Sequence, residues 1–250
     1  MNRVSSELST VIARLYETFQ PYINRSHPEG CPCCVSADDK RKLVSKSLRE
    51  LTRDDLDRFV WKVLTTWGDV DDLKRFLPRI LELMAQDDCG GFDREVFSGK
   101  LRMVEWTNWP ERERNVVADY FTIIWRDCIF APDGSVWMDE LLCALGRALD
   151  DLTPFLRAWE RCRAANGYDA LCGFIEWNLD GLIKKGRLRN NFWPEAEAQM
   201  NQVVDWLSSP ATEKRLQMIF EEDANAEFAE PLARAVDQLA SLQQSIAANK

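Results

Sequence analysis

Residues 27–34 read His27-Pro28-Glu29-Gly30-Cys31-Pro32-Cys33-Cys34, and they hold the only histidine of the chain and three of its eight cysteines. Thiolate sulfur and imidazole nitrogen are the ligand types that zinc prefers. A C-x-C pair can chelate one ion, and the two prolines restrict the loop before anything binds. Structural zinc sites usually space each ligand pair C-x2-C and draw two pairs from separate elements. Here His27, Cys31, Cys33 and Cys34 are all local, so a metal site needs a tight wrap of the chain. A remote ligand such as Cys89, in Asp87-Asp88-Cys89-Gly90-Gly91, would make it more complete.

The same residues admit two other readings. A redox centre needs an exposed thiolate of low pKa, and the helix start at Asp38-Asp39 helps if its positive end faces Cys34. In the third reading Cys33 or Cys34 packs under the loop and the rest are inert. A Cys-His or Ser-His hydrolase would have only His27 as its base, four residues from Cys31 in a region where such enzymes use a distant one. The chain has no Gly-rich phosphate loop, no H-E-x-x-H and no EF-hand loop. Cys89, Cys128, Cys143, Cys162 and Cys172 are scattered, mostly in helical patterns, and read as buried small hydrophobes.

A second stretch is Thr66-Trp67-Gly68-Asp69-Val70-Asp71-Asp72, followed by Phe76-Leu77-Pro78-Arg79. Together with the upstream C-P-C-C of residues 31–34, it resembles a group of uncharacterised bacterial helical proteins that carry both segments. The resemblance covers roughly residues 20 to 90. It implies a bacterial cytoplasmic protein and brings no activity with it. It makes the C-P-C-C segment and the T-W-G-D-V-D-D turn the first places to look for a site, although Gly68 and Asp69 are also what a helix–helix corner requires.

Helical periodicity supplies the elements that must position these groups. Leu8, Val11, Ile12, Leu15 and Phe19 make one apolar stripe behind a cap at Ser5 or Ser6. A short helix is predicted over about 37–48. Thr52 and Asp55 open another, carrying Leu56, Phe59, Val60, Val63 and Leu64, and Gly68 ends it. Asp69 caps the next, in which Pro78 marks either a kink or the first turn. A helix over about 93–105 follows. Asn108-Trp109-Pro110-Glu111 opens the longest one, and Pro132-Asp133-Gly134-Ser135 turns the chain. Further starts are read at Thr153-Pro154, at Asp169 after a break at Asn166-Gly167, at Trp193-Pro194-Glu195 and at Thr212. A last helix runs from about 225 to 247. No stretch alternates as a strand does. The expectation is an all-α, multi-helix array in a single domain over 1–250, with a degenerate HEAT-like α-α superhelix as one topology.

Composition narrows the function classes. The net charge of −9 argues against a nucleic-acid surface, which needs a basic stripe. The one basic-leaning stretch, Lys184-Lys185-Gly186-Arg187-Leu188-Arg189, reads as a solvated turn, with a local phosphate contact as the alternative. The start of the chain has no apolar core of a secretory signal, and no apolar run is long enough for a membrane span. Of ten tryptophans, Trp61, Trp125, Trp159, Trp177 and Trp206 lie in helical patterns and are expected in the core. Three functions remain. The first is a non-enzymatic protein–protein interaction module, presenting Trp67, Asp69, Asp71, Asp72 and exposed Trp109 or Trp193 to a protein partner. The second is a zinc-binding protein with a structural or catalytic site at 27–34. The third is an α/α-type carbohydrate-active enzyme using paired carboxylates.

Overall fold

The computed structural model describes residues 5–25, 27–86, 92–130, 138–162, 165–222 and 229–248. Twelve α-helices are found among them, with isolated bridges at Gly30–Trp67 and Val63–Trp67 and no strand. The all-α, multi-helix expectation holds. No helix among the described residues is long and apolar enough to cross a membrane. The chain divides into two compact units, Met1–Ile124 and Trp125–Lys250.

The first unit holds α1 (Ser6–Thr18), α2 (Ala37–Val44), α3 (Arg53–Lys62), α4 (Val70–Gln86), α5 (Arg94–Met103) and the first part of α6 (Glu111–Phe130). Ser5 caps α1 by accepting from the Leu8 amide at 3.0 Å, and the predicted stripe from Leu8 to Phe19 is buried where α1 packs on α4. Asp69 and Asp72 cap α4 reciprocally. The Asp72 amide donates to Asp69 Oδ1 at 2.9 Å and the Asp69 amide to Asp72 Oδ2 at 3.1 Å. Pro78 lies in the interior of α4 and is buried, so its first-turn reading does not hold.

The α3 helix is shorter than its apolar pattern. It stops at Lys62, and Leu64 takes φ +68°, in the left-handed region that β-carbon sterics disfavour. The carbonyl of Lys62 then accepts from the Thr66 and Trp67 amides at 3.0 and 3.1 Å. Gly68 follows at φ +73°, which only glycine adopts freely. The chain thus makes a tight corner over 63–69 that apolar periodicity alone does not reveal.

The second unit holds the end of α6, α7 (Met138–Ala148), α8 (Thr153–Arg161), α9 (Ala165–Lys185), α10 (Glu197–Leu207), α11 (Pro210–Glu222) and α12 (Ala229–Ala248). Trp125 and Trp159 meet edge to face at 5.3 Å, and Trp159 stacks on Trp206 at 5.8 Å. Their indole N–H groups are satisfied, Trp125 by the Phe155 carbonyl and Trp159 by the Gly167 carbonyl. The break expected at Asn166-Gly167 lies earlier in the chain: α8 ends at Arg161 and α9 already begins at Ala165, so Gly167 stands in its first turn, where a β-carbon would strike the Cys162 sulfur. Two of the tryptophans expected inside are exposed: Trp61 on α3 and Trp177 on α9, the latter under the Arg189 guanidinium at 4.1 Å. The turn expected at 132–135, Cys89 and the start expected for the last helix lie outside the described residues.

Candidate metal centre

The loop between α1 and α2 is pinned to the corner between α3 and α4. The Cys31 amide donates to the Thr66 carbonyl at 2.8 Å, and the Gly68 amide donates to the Glu29 carbonyl at 2.7 Å. Gly30 sits between these bonds with no room for a side chain. A β-carbon there would lie 2.9 Å from Val35 Cγ2 and 3.1 Å from Trp67 Cδ1. Trp67 is itself buried, edge to face with Phe59 at 5.4 Å. The two segments that sequence singled out separately, C-P-C-C and T-W-G-D-V-D-D, are therefore one structural feature.

With its first residue anchored, the loop folds back on itself. The Cys31 carbonyl accepts from the Cys34 and Val35 amides, both at 3.0 Å. This is the tight wrap that local ligands need. It gathers the sulfurs of Cys31, Cys33 and Cys34 within 4.8 Å of one another. Cys31 and Cys33 sulfurs are 2.8 Å apart, and Cys33 and Cys34 sulfurs 3.5 Å. Cys33 is exposed and its two neighbours are half-buried, so the cluster opens to solvent. Three soft ligand atoms at this spacing can hold a metal ion.

The local charge suits anionic sulfur. Lys62 Nζ and Arg58 both donate to the Cys34 carbonyl, and Lys40 Nζ donates to the Gly30 carbonyl at 3.3 Å. Arg58 also pairs with Asp39 at 3.2 Å. The hydrogen bond from Cys33 stabilises the Cys31 thiolate and lowers the Cys31 pKa to about 7. The same contact raises Cys33 to about 11. One thiol is thus half-ionised near neutrality and the next stays protonated until a cation displaces its proton.

The other expected site residues are placed differently. His27 is exposed and is not a member of the cysteine cluster. Asp69 and Asp72 cap α4, and Asp69 and Asp71 both pair with Arg25, the former at 3.0 Å. The exposure expected of Trp109 and Trp193 is corrected, since both are buried. Trp109 lies under Lys74 Nζ at 4.4 Å, and the benzo edge of Trp193 is packed against Gly146. Sequence reasoning missed the cations Lys40, Arg58 and Lys62. Their signal was present in the four-residue spacing of Arg58 and Lys62, which puts both on adjoining turns of one helix face.

Of the described cysteines outside the loop, Cys143, Cys162 and Cys172 are buried, as small hydrophobes are, and Cys128 is half-buried. Burial pushes the Cys172 thiol up to about 12, which makes it inert as a nucleophile. No protein-family model matches this chain, and no curated protein or solved structure matches it either.

Proposed function

We propose that the protein binds zinc through Cys31, Cys33 and Cys34, and that the ion fastens the loop over residues 29–35 to the α3–α4 corner. The carrying observation is the gathering of the three sulfurs within 4.8 Å. Two thiolates on one tetrahedral zinc stand about 3.8 Å apart, given zinc–sulfur bonds near 2.3 Å. The range from 2.8 to 4.8 Å brackets that value, and the exposed Cys33 has room to adjust. Three thiolates and a divalent ion carry one net negative charge, which Lys40, Arg58 and Lys62 offset. A fourth position is left to water or to a group from a partner. A reducing compartment, such as the bacterial cytoplasm that the sequence resemblance implies, would keep the three loop thiols available to a metal ion.

Elemental analysis of protein purified without a histidine tag tests this. About one zinc per chain is expected, falling to background in Cys31→Ser/Cys33→Ser. Equal metal content in the two proteins would overturn the assignment. A second reading, a redox pair, is favoured by the 2.8 Å separation of Cys31 and Cys33 together with the ionisation of Cys31 near neutrality. In it the two thiols give two electrons and two protons to a peroxide and join as a disulfide. Loss of those two free thiols on peroxide treatment of metal-free protein, at substoichiometric metal content in the purified protein, is its signature. The protein-interaction reading draws support from exposed aromatic surface such as Trp61, about half exposed, three residues after Arg58 on α3.

A further inference from the structure

A cleft of about 620 Å³ opens in the second unit beside the C-terminal end of α9. It is lined by four cations (Lys184, Lys185, Arg187 and Arg189) and two carboxylates (Asp180 and Glu197). The excess of positive charge stands out in a chain of net charge −9. Asp180 is already engaged by Lys184 at 2.9 Å. Lys185 and Arg187 form no ion pair among the described residues, and both are exposed.

These cations stand on a built turn. Gly186 at φ +61° ends α9, with its amide bonded to the Leu182 carbonyl at 3.0 Å and the Arg187 amide to the Gly181 carbonyl at 3.4 Å. The first is the single bond from a left-handed capping glycine to the carbonyl four residues back, and the second returns to the carbonyl one residue deeper in the helix. Gly181 lets the returning chain approach, since a β-carbon there would sit 2.7 Å from the Arg187 carbonyl oxygen. The Arg189 amide is held by Asn178 Oδ1 at 2.8 Å, and Asn178 is fully buried and also donates to Asp139 at 3.0 Å. Arg189 stacks its guanidinium on Trp177 and donates to the Trp177 carbonyl at 3.2 Å. The basic turn is thereby fixed at both ends, unlike a run of solvated lysines.

Trp193 supplies the second observation. It lines the same cleft and is fully buried, yet its indole N–H has no hydrogen-bond partner. A buried donor left without an acceptor is costly and rare. An oxygen of a bound ligand would satisfy it, and the surrounding cations require that ligand to be anionic. Phosphate fits this combination through charge-assisted bonds to Lys and Arg and a neutral N–H donor. The volume lies within the range of about 300–1,000 Å³ typical of small-molecule sites and far exceeds a lone phosphate.

We infer that this cleft binds a small organic phosphate ester, its phosphate held by Lys185 and Arg187 and its oxygen-bearing body reaching the Trp193 indole N–H. Titration followed by calorimetry and by ¹⁵N indole resonances tests it, with ribose 5-phosphate and adenosine monophosphate as probes. Ribose, adenosine and inorganic phosphate are the controls. The esters should bind, shift one buried indole signal and weaken as salt rises. Lys185→Gln/Arg187→Gln, which changes two exposed side chains, should weaken them at least tenfold with an unchanged circular dichroism spectrum. Equal binding of ribose or adenosine, no binding of either ester, or unaltered ester affinity in the double variant would overturn the inference. Inorganic phosphate binding as tightly as the esters would overturn the ester assignment.

Discussion

The Cys31 amide donates to the Thr66 carbonyl at 2.8 Å, across 35 residues of chain, and this bond sets where the thiol loop begins. Its companion, Gly68 amide to Glu29 carbonyl at 2.7 Å, fixes the other side of the bridge. A metal site of local ligands is normally undermined by the entropy of a mobile loop. Here two backbone bonds to a helix corner restrict the loop before an ion arrives.

Gly68→Ala should therefore weaken both fold and site. At φ +73° a side chain meets left-handed strain of about 1–2 kcal/mol. Its β-carbon would also crowd Asp72, 3.0 Å from Cβ and 3.1 Å from Oδ2, and so disturb the α4 cap. A loss of about 2 kcal/mol in urea unfolding is expected, with weaker zinc binding alongside. Gly186→Ala is the control, because φ is +61° but the space is open. It should cost only about 1 kcal/mol. Equal losses in the two variants would show that crowding at the corner contributes nothing.

Much of this was legible in the sequence, and the exceptions have physical causes. Apolar periodicity marks which faces are buried, so the stripe of α1 was readable from residue types alone, as was the cap at Asp69. Periodicity does not record which carbonyl a helix end returns to. The arrest of α3 at Lys62, two residues before its apolar pattern ends, and the bridge from Cys31 to Thr66 were therefore invisible. Gly167 misled for a related reason. A glycine disfavours a helix by propensity, yet here it lies in the first turn of α9, which begins at Ala165, and its missing side chain makes room for the Cys162 sulfur. Trp109 and Trp193 looked available because they flank helix starts, but aromatic rings at such positions can fold inward once a glycine or a lysine stem accommodates them.

The cysteines should titrate far apart in metal-free protein. The Cys33 hydrogen bond lowers Cys31 to about 7, so its alkylation by iodoacetamide should rise steeply between about pH 6 and 8 and then level off. Cys33 should respond only as pH approaches about 11. In Cys33→Ala the donor is gone, and the Cys31 transition should move up toward the ordinary thiol range. An unmoved transition would show that the Cys33 hydrogen bond does not set it.

Lys74 and Glu113 pair at 2.7 Å with both side chains about nine-tenths buried, and Tyr22 donates to Glu113 at 2.8 Å. Removing one partner leaves a buried charge without its counterion, which typically costs about 3–5 kcal/mol. Lys74→Met should lose stability on that scale by urea unfolding, whereas Lys74→Met/Glu113→Leu should recover much of it. The Lys74 stem and ammonium also cover Trp109, so near-ultraviolet circular dichroism should change in the single variant. A double variant no more stable than the single one would place the loss in packing against Trp109 rather than in the unpaired carboxylate.

Zinc should stabilise the first unit by mass action, because an ion bound only to the folded loop favours the folded state. At a free concentration about 100-fold above its Kd, the gain is about 2.7 kcal/mol. The location of the effect is more diagnostic than its size. The amides of Cys31, Cys34, Val35 and Gly68 all lie in the wrap or the bridge, so their hydrogen exchange should slow on metal addition. Exchange in α11, in the other unit, should not change through this route. Competition by protons gives the effect a direction with pH. Below about 7 the Cys31 thiolate is increasingly protonated, so zinc affinity and the protection it brings should fall together as the solution is acidified. Protection that persists unchanged in Cys31→Ser/Cys33→Ser would assign the stabilisation to zinc bound elsewhere on the acidic surface.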